Sequence, residues 1–513
     1  MTTLRDPSVL IIGAGATGML AMIRLRDAGV SDITIVEKAD RVGGTWRENT
    51  YPGVACDIPS HHYCYTFEPA RWQFQCAKGP ELQDYMEHVG EKYGVTENVR
   101  FNTTVTSIVY GDGDGDGDGD GDGDGDGEPE GDGQARSDGR RRRWTVRTDR
   151  GDTFRVDFVI AATGILHHPK FPRIPGLADF AGDTWHTARW RHDVDLDGRR
   201  IGVIGTGSTA HQLIPELVDA GHDVHVFQRT AQWVFPFPNW GFPEWLRERW
   251  RRKPRRMGKW KWFYRHFIEQ FFVKATIGRP VQNFLLRAAT RAHLRFGIRD
   301  PKLRKKLTPS YGIGCKRIVV NTTFYPAIQA PNAHLVTEGI RRVEDKGIRL
   351  ESGELVPLDV LVLATGFHNF NYMRPMEVVG RGGHTIEDSW GDGRYRALRG
   401  ILLPHFPNFF LMLGPGTPIG NNSVIGMSEV QMDFALQLIE RWRRGDVDAI
   451  EPTPEAVERF TAYLKAGLGS TVWNGGCQSW YQDADGQPVI FPYSWAEFVD
   501  SMAEVKPGEL RSD

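Results

Sequence analysis

Two stretches of this chain share one pattern, and it constrains the fold more than any other feature. Each is a β-branched apolar run, a glycine-spaced turn and then helix-compatible sequence, at residues 9–26 (VLIIGAGATGMLAMIRLR) and 201–218 (IGVIGTGSTAHQLIPELV). A strand that enters a tight turn and leaves as a helix opens a nucleotide-binding α/β unit, because the turn aims helix N–H groups at a phosphate. The chain therefore holds two such folds. Each has a later companion strand ending in Ala-Thr-Gly, at 159–164 (VIAATG) and 360–366 (VLVLATG), after which proline or aromatic residues dominate. These mark two crossings between domains. The expected architecture is α/β with two Rossmann-like dinucleotide-binding domains, the second inserted in the first. Residues 1–165 begin the first, 170–365 form the second with a helical insertion at about 240–310, and 366–513 return to complete the first. A length of 513 residues suits two such units, and nesting creates two linkers and a hinge between them.

In the first turn, Gly13, Gly15 and Gly18 stand at the spacing of the dinucleotide fingerprint, and Glu37 ends the next strand (ITIVE). The first glycine permits the tight turn, the second lets backbone approach a pyrophosphate, and the third allows close helix packing. Glu37 would accept hydrogen bonds from ribose hydroxyls. In the second turn, Gly205, Gly207, Ser208 and Thr209 lead into Ala210 in place of the last glycine. The next strand (VHVFQRT) carries Arg229 and Thr230 where the first fold has an acid. An acid would repel a 2′-phosphate whereas arginine pairs with it, so NADPH is expected over NADH. A flavin fold and a nicotinamide fold on one chain imply hydride flow from one to the other, with FAD in the first.

The flavin's further chemistry depends on the residues between. A disulfide reductase would soon supply paired cysteines, but the region reads GGTWRENTYPGVACDIPSHHY, with Cys56 and Cys64 eight apart. A thiol relay is not expected. The five cysteines are sparse, without a CxxC pair, and fit reduced thiols in a cytoplasm. No cluster with metal-ligand spacing is evident, so no metal is expected.

The net charge of −2 hides an asymmetry. Residues 111–133 hold eleven acids and no base, so the rest of the chain carries +9. The Gly-Asp alternation there is apolar nowhere and self-repelling, and is expected to be a disordered loop. Its acids all fall at even positions, which never supplies the twelfth ligand of an EF-hand. Ten Lys and Arg interleave with aromatics between 247 and 265. The favoured reading is a helix that buries its tryptophans and shows its arginines to water; docking on an anionic membrane is the less favoured one, and nucleic acid is not expected. No apolar run is long enough for a membrane helix.

Two motifs resemble those of the class B flavoprotein monooxygenases, and within them the type I Baeyer–Villiger monooxygenases. One, [AG]GxWxxxx[FY]P[GM]xxxD, is matched by Gly43, Gly44, Trp46, Tyr51, Pro52, Gly53 and Asp57. The other, FxGxxxHxxxW followed by Pro or Asp, is matched by Phe180, Gly182, His186 and Trp190, with Arg191 as the departure. Trp190 separates this branch from flavin-containing monooxygenases that oxidise nitrogen and sulfur, which carry Tyr or Phe there.

The resemblance implies that reduced FAD and O2 form a C4a-peroxyflavin that attacks a ketone, giving an ester or lactone. Such a peroxyanion needs a fixed cation and shelter from water. The run Gly314-Cys315-Lys316-Arg317 resembles the family's segment with the active-site arginine, which makes Arg317 catalytic and Asp57 its carboxylate partner. Gly44 and Trp46 join the cofactor-binding residues, and Lys316 would add charge toward the 2′-phosphate. His186 and Trp190 organise the domain junction by resemblance, and Gly414-Pro415-Gly416 closes over the flavin. Trp480 resembles a tryptophan on a loop that closes over NADP. The alternative is a flavin N- or S-monooxygenase; a third is a flavoprotein kept for binding.

Overall fold

A computed structural model describes residues 4–111, 143–252, 255–420, 422–476 and 479–511. The expected Gly-Asp loop lies outside them.

Two five-stranded parallel sheets form the frame. The first runs in the order Val99–Arg100, Asp32–Val36, Ser8–Ile12, Phe158–Ala161, Phe409–Leu411. Parallel strands are covered on both faces, and Ser8–Ile12 reads accordingly as a continuous apolar run. Its alternation divides two cores. Val9 and Ile11 join the helix side, with Ala16–Asp27 and Val424–Arg444, while Leu10 and Ile12 pack against Trp144 and Phe406 of the other layer. That other layer is a four-stranded sheet, Glu377–Val379, Val105–Gly111, Arg143–Thr148 and Thr153–Val156. Phe409–Leu411 and Glu377–Val379 come from the C-terminal stretch, so the return segment supplies one strand to each sheet of this half.

The second parallel sheet has the order Ala333–Val336, Asp223–Phe227, Arg200–Ile204, Val360–Leu363, Asp183–His186. Helix Ser208–Asp219 covers one face, and an antiparallel trio, Ile340–Glu344, Gly347–Leu350 and Leu355–Pro357, packs the other through Val343, Ile348 and Leu361. In both sheets the strand before the glycine turn is central, with its sequence successor on one side and the Ala-Thr-Gly strand on the other. The strand order therefore reverses at each turn, which opens a crevice at the carboxyl ends where ligands bind in such sheets.

The helical insertion lies between Asp223–Phe227 and Ala333–Val336. It includes Glu244–Arg252, Arg255–Phe267, a π-helical stretch Ile268–Val273, and Pro280–Gly297. Its tryptophans divide. Trp250 is buried against His61 and Phe242, but Trp245 and Trp262 stay 65% and 55% exposed, so the expected burial of the insertion's tryptophans holds for only part of them. Both faces of a helix cannot meet one core, and Pro280–Gly297 likewise buries Leu286 and Leu294 while exposing Val281, Phe284 and Phe296. Among the described residues no helix is long and apolar enough to cross a membrane.

Candidate active site

The two glycine turns are built alike. Gly13 has φ +100°, and a Cβ there would lie 2.7 Å from the carbonyl of Ala162, in the first Ala-Thr-Gly strand. Gly205 has φ +118°, and its Cβ would lie 2.3 Å from the carbonyl of Ala364, in the second. Each first glycine is thus required twice, by its left-handed φ and by the neighbouring strand. Gly18 faces the Gly13 carbonyl too closely for any side chain. Gly15 abuts Gly44 backbone to backbone, so two segments lacking side chains line one cradle at the start of helix Ala16–Asp27, while Gly207 opens onto free space. Both places fit a pyrophosphate that must meet backbone N–H groups directly.

Glu37 is buried. Its Oε2 accepts the Ala14 N–H at 2.7 Å and its Oε1 the Ala39 N–H at 3.0 Å. The carboxylate therefore braces the turn as well as ending the strand where a ribose would lie. Trp46 lies in the short helix Thr45–Glu48 and meets Tyr63 edge-on at 5.7 Å.

In the second fold Thr206 donates its hydroxyl to the Thr230 carbonyl at 2.9 Å, tying the turn to the next strand end. Arg229 is exposed there. Lys316 stands over the Tyr311 ring at 4.9 Å, and burial followed by repulsion from Arg229 lowers its pKa. Two cations therefore converge beyond the second turn, and among the described residues no carboxylate pairs with either. That suits a 2′-phosphate.

Beyond lining the cradle through Gly44, the long motif does two further jobs. Asp57 receives a bidentate fork from Arg317: Nε donates to Oδ2 at 3.0 Å and Nη2 to Oδ1 at 2.7 Å. Burial opposes the guanidinium charge, but the Asp57 carboxylate outweighs it and holds the Arg317 pKa above its ordinary value. The arginine keeps 27% of its side-chain surface accessible, so it is paired without being sealed off. Beside Asp57 lies a small apolar cavity of about 20 Å³ walled by Ile58, Phe237, Phe267 and Phe272, the last three from the segment that carries the insertion.

The rest of the motif joins the two folds. Tyr51 donates its hydroxyl to Gln212 Oε1 at 2.8 Å, and Gln212 Nε2 donates to the Ala55 carbonyl at 2.9 Å. Gly53 has φ +79°, and a Cβ there would lie 2.5 Å from the Gln212 carbonyl. Helix Ser208–Asp219, which carries Ser208 and Thr209 at its start, is thereby docked on the first fold. His186 is buried between Phe171 and Phe367, one ring on each crossing of the chain, and its Nδ1 accepts the Ala188 N–H at 3.1 Å. Arg191 pairs with Asp183 and Asp193, so the departure from the second motif is met by a local ion-pair pattern.

Sequence reasoning missed Tyr481. Trp480 is half-buried against Tyr481, ring centroids 4.3 Å apart, and its carbonyl accepts from Asn369 at 2.8 Å; it is the Tyr481 hydroxyl that lies against Arg317. Nothing local in QSWYQDADG distinguishes the two aromatics. The cysteine expectation needs one correction. Cys56, Cys64 and Cys76 are free and buried, and burial first of all pushes their pKa values up, which leaves no thiolate relay near the turn. Cys315 is disulfide-bonded, because spacing along the chain does not report which thiols the fold brings together.

Comparison with known proteins agrees with this geometry. Residues 11–76 match the NAD(P)-binding Rossmann-like domain family and 137–248 the pyridine nucleotide-disulphide oxidoreductase family. The chain is 42% identical to an uncharacterized monooxygenase of Mycobacterium tuberculosis, over 98% of this chain and 96% of that one. It is 36% identical to a Baeyer-Villiger monooxygenase of Streptomyces coelicolor, over 96% and 89% respectively. An oxidized steroid monooxygenase bound to NADP superposes with a TM-score of 0.80 at 30% identity, covering 97% of both chains. FAD and NADPH are the cofactors that two such turns, one of them facing a pair of unopposed cations, accommodate. With a pyridine-nucleotide fold nested in a flavin fold, an arginine–aspartate fork at an apolar cavity where they meet, and relatives matched over nearly their whole length, the chain belongs to the Baeyer–Villiger monooxygenase family.

Proposed function

We propose that this enzyme oxidises an apolar ketone to an ester or lactone, and that Arg317 held by Asp57 is the cation on which the oxygen insertion depends. The observation that carries the reading is the bidentate Arg317–Asp57 fork at the edge of a cavity walled by phenylalanines. The reaction balances as ketone, O2, NADPH and a proton giving ester, water and NADP+. FAD, when bound, takes the electrons of NADPH and activates the oxygen.

The residues of the chain provide the rest. The backbone of Gly15 and Gly44 receives the flavin pyrophosphate, with Glu37 and Trp46 beside it, and Gly205, Gly207, Ser208 and Thr209 receive that of the coenzyme. Arg229, Thr230 and Lys316 take the 2′-phosphate. The fork uses Nε and Nη2 of Arg317, which leaves Nη1 to face negative charge developing on oxygen during insertion. A fixed cation in a water-poor junction acts more strongly than one in solvent and needs no reorganisation as the charge appears. Trp480 and Tyr481 shield that junction from water. Residues 1–165 and 366–513 would form the FAD part and 170–365 the NADP part, hinged near His186. Dependence on a cellular NADPH supply favours the cytoplasm as the working location.

The test is a panel of ketones and thioethers scored for a mass gain of one oxygen, with NADPH oxidation and peroxide release followed in parallel. Esters from apolar ketones are expected. Sulfoxides without any ester would overturn the reading in favour of a heteroatom oxygenase.

A further inference from the structure

We propose that Asp223, His225 and His334 form a binding site for one divalent first-row transition-metal cation on the second parallel sheet, near the amino ends of its strands and away from the coenzyme turn. The sequence gives no hint of it, since His334 is 111 positions from Asp223. Strand geometry brings the three together. Asp223 and His225 are two residues apart on one strand, so they share a face. The parallel register sets His334 directly opposite His225.

The donor atoms converge. His334 Nε2 lies 2.8 Å from Asp223 Oδ1 and His225 Nε2 lies 3.6 Å from Asp223 Oδ2, and one ligand atom from each residue falls within 4.8 Å of the others. The imidazole rings stack with centroids 4.6 Å apart. Ligands about 2.0–2.1 Å from a tetrahedral cation sit about 3.3 Å from one another, so side-chain shifts of about 1 Å close the site. Two imidazoles and a carboxylate suit Zn2+, Ni2+ or Cu2+ better than Ca2+ or Mg2+, and the half-exposed position leaves room for water as the remaining ligand.

Charge favours entry. Asp223 supplies a carboxylate beside the two imidazoles. The nearest cation across the sheet, Arg200, is neutralised by a bidentate pair with Asp359 at 2.9 and 2.8 Å. On binding, the His334–Asp223 hydrogen bond is exchanged for two Nε2–metal bonds and one carboxylate–metal bond. The cation then ties together two neighbouring strands of the sheet through their side chains.

The purified full-length enzyme, cleared with a chelator, is titrated with Zn2+ by calorimetry. One saturable site tighter than about 100 μM is expected, weakened about tenfold or more in both His334→Ala and Asp223→Asn. His334 is exposed and Asp223→Asn keeps the shape of the side chain, so both variants are expected to melt like the wild type without metal. NADPH-dependent turnover is expected to be unchanged in both, which separates this site from the oxygenating one. Absence of saturable binding, or binding that neither variant weakens, overturns the proposal.

Discussion

Arg317 is the residue on which we propose the chemistry depends, and its orientation is fixed by the pair with Asp57. A half-buried guanidinium without a partner is costly, and the fork to Asp57 both offsets that cost and fixes the plane of the group. Arg317→Ala is expected to abolish ester formation while FAD binding and reduction by NADPH persist, because delivery of electrons does not draw on that cation. Arg317→Lys is expected to rescue poorly, since an ammonium keeps the charge but cannot span both carboxylate oxygens and still face the reactants. Product analysis beside stopped-flow reduction checks both, and an Ala variant that still makes ester at near wild-type rates would place the cation elsewhere. At the other end of the coenzyme, Arg229→Ala is expected to weaken NADPH binding by about 1–3 kcal/mol and leave NADH nearly untouched. Equal losses for the two coenzymes, measured by titration, would remove Arg229 from the 2′-phosphate. These residues were legible because a turn and the strand after it are local, and spacing alone locates Gly13, Gly205 and Arg229. Tyr481 was not legible, since it lies far along the chain from Arg317 and meets it only in the folded molecule.

At the level of elements, the motif from Gly43 to Asp57 reads in sequence as a single signature, yet the structure divides it between a cradle, a domain contact and an ion pair. The domain contact could not be read in advance. Gly53 yields to the Gln212 carbonyl, and Gln212 carries no mark in the sequence that would set it apart from other glutamines. The two parallel sheets were legible because their strands are short apolar runs bounded by turns, whereas the faces of the insertion were not: its helices carry apolar residues all round, and only packing decides which side is covered. The hairpin that bears the Gly-Asp tract offers a test at this scale. Gly111 and Arg143 are register partners, so the chain leaves and re-enters the sheet at adjacent points. Replacing residues 112–142 by a two-residue Asn-Gly turn therefore keeps the register of Val105–Gly111 with Arg143–Thr148, and loop length itself contributes little free energy. Unchanged flavin content and turnover are expected; loss of soluble holoenzyme would give the tract a structural role.

Across the whole molecule, the histidines set how the fold responds to acid. His61, His62, His186 and His211 are buried, and burial lowers each pKa from 6.5 to about 4. His61 is enclosed by Phe242, Trp250 and Tyr264 with neither ring nitrogen bonded among the described residues, and His186 packs between rings at the two chain crossings. Between pH 6.5 and 4 the unfolded chain binds protons at these positions and the folded chain does not. The stability they allow is therefore complete above pH 6.5 and is lost as pH falls toward 4, at up to about 1.4 kcal/mol per pH unit for each histidine. Glu81 and Glu269, whose pKa values burial raises, act in the opposite sense, but His168, His225, His293 and His384, whose pKa values burial also lowers, add to the four buried histidines. A domain's total stability is about 5–15 kcal/mol, so a loss of this slope is large. The urea midpoint is expected to fall steadily from pH 7 to pH 5, and His61→Phe, which fills the same aromatic box without a titrating nitrogen, is expected to flatten that slope by about one proton. A midpoint that stays level over this range would mean that water reaches these imidazoles, and the junction around His186 would then be open rather than packed.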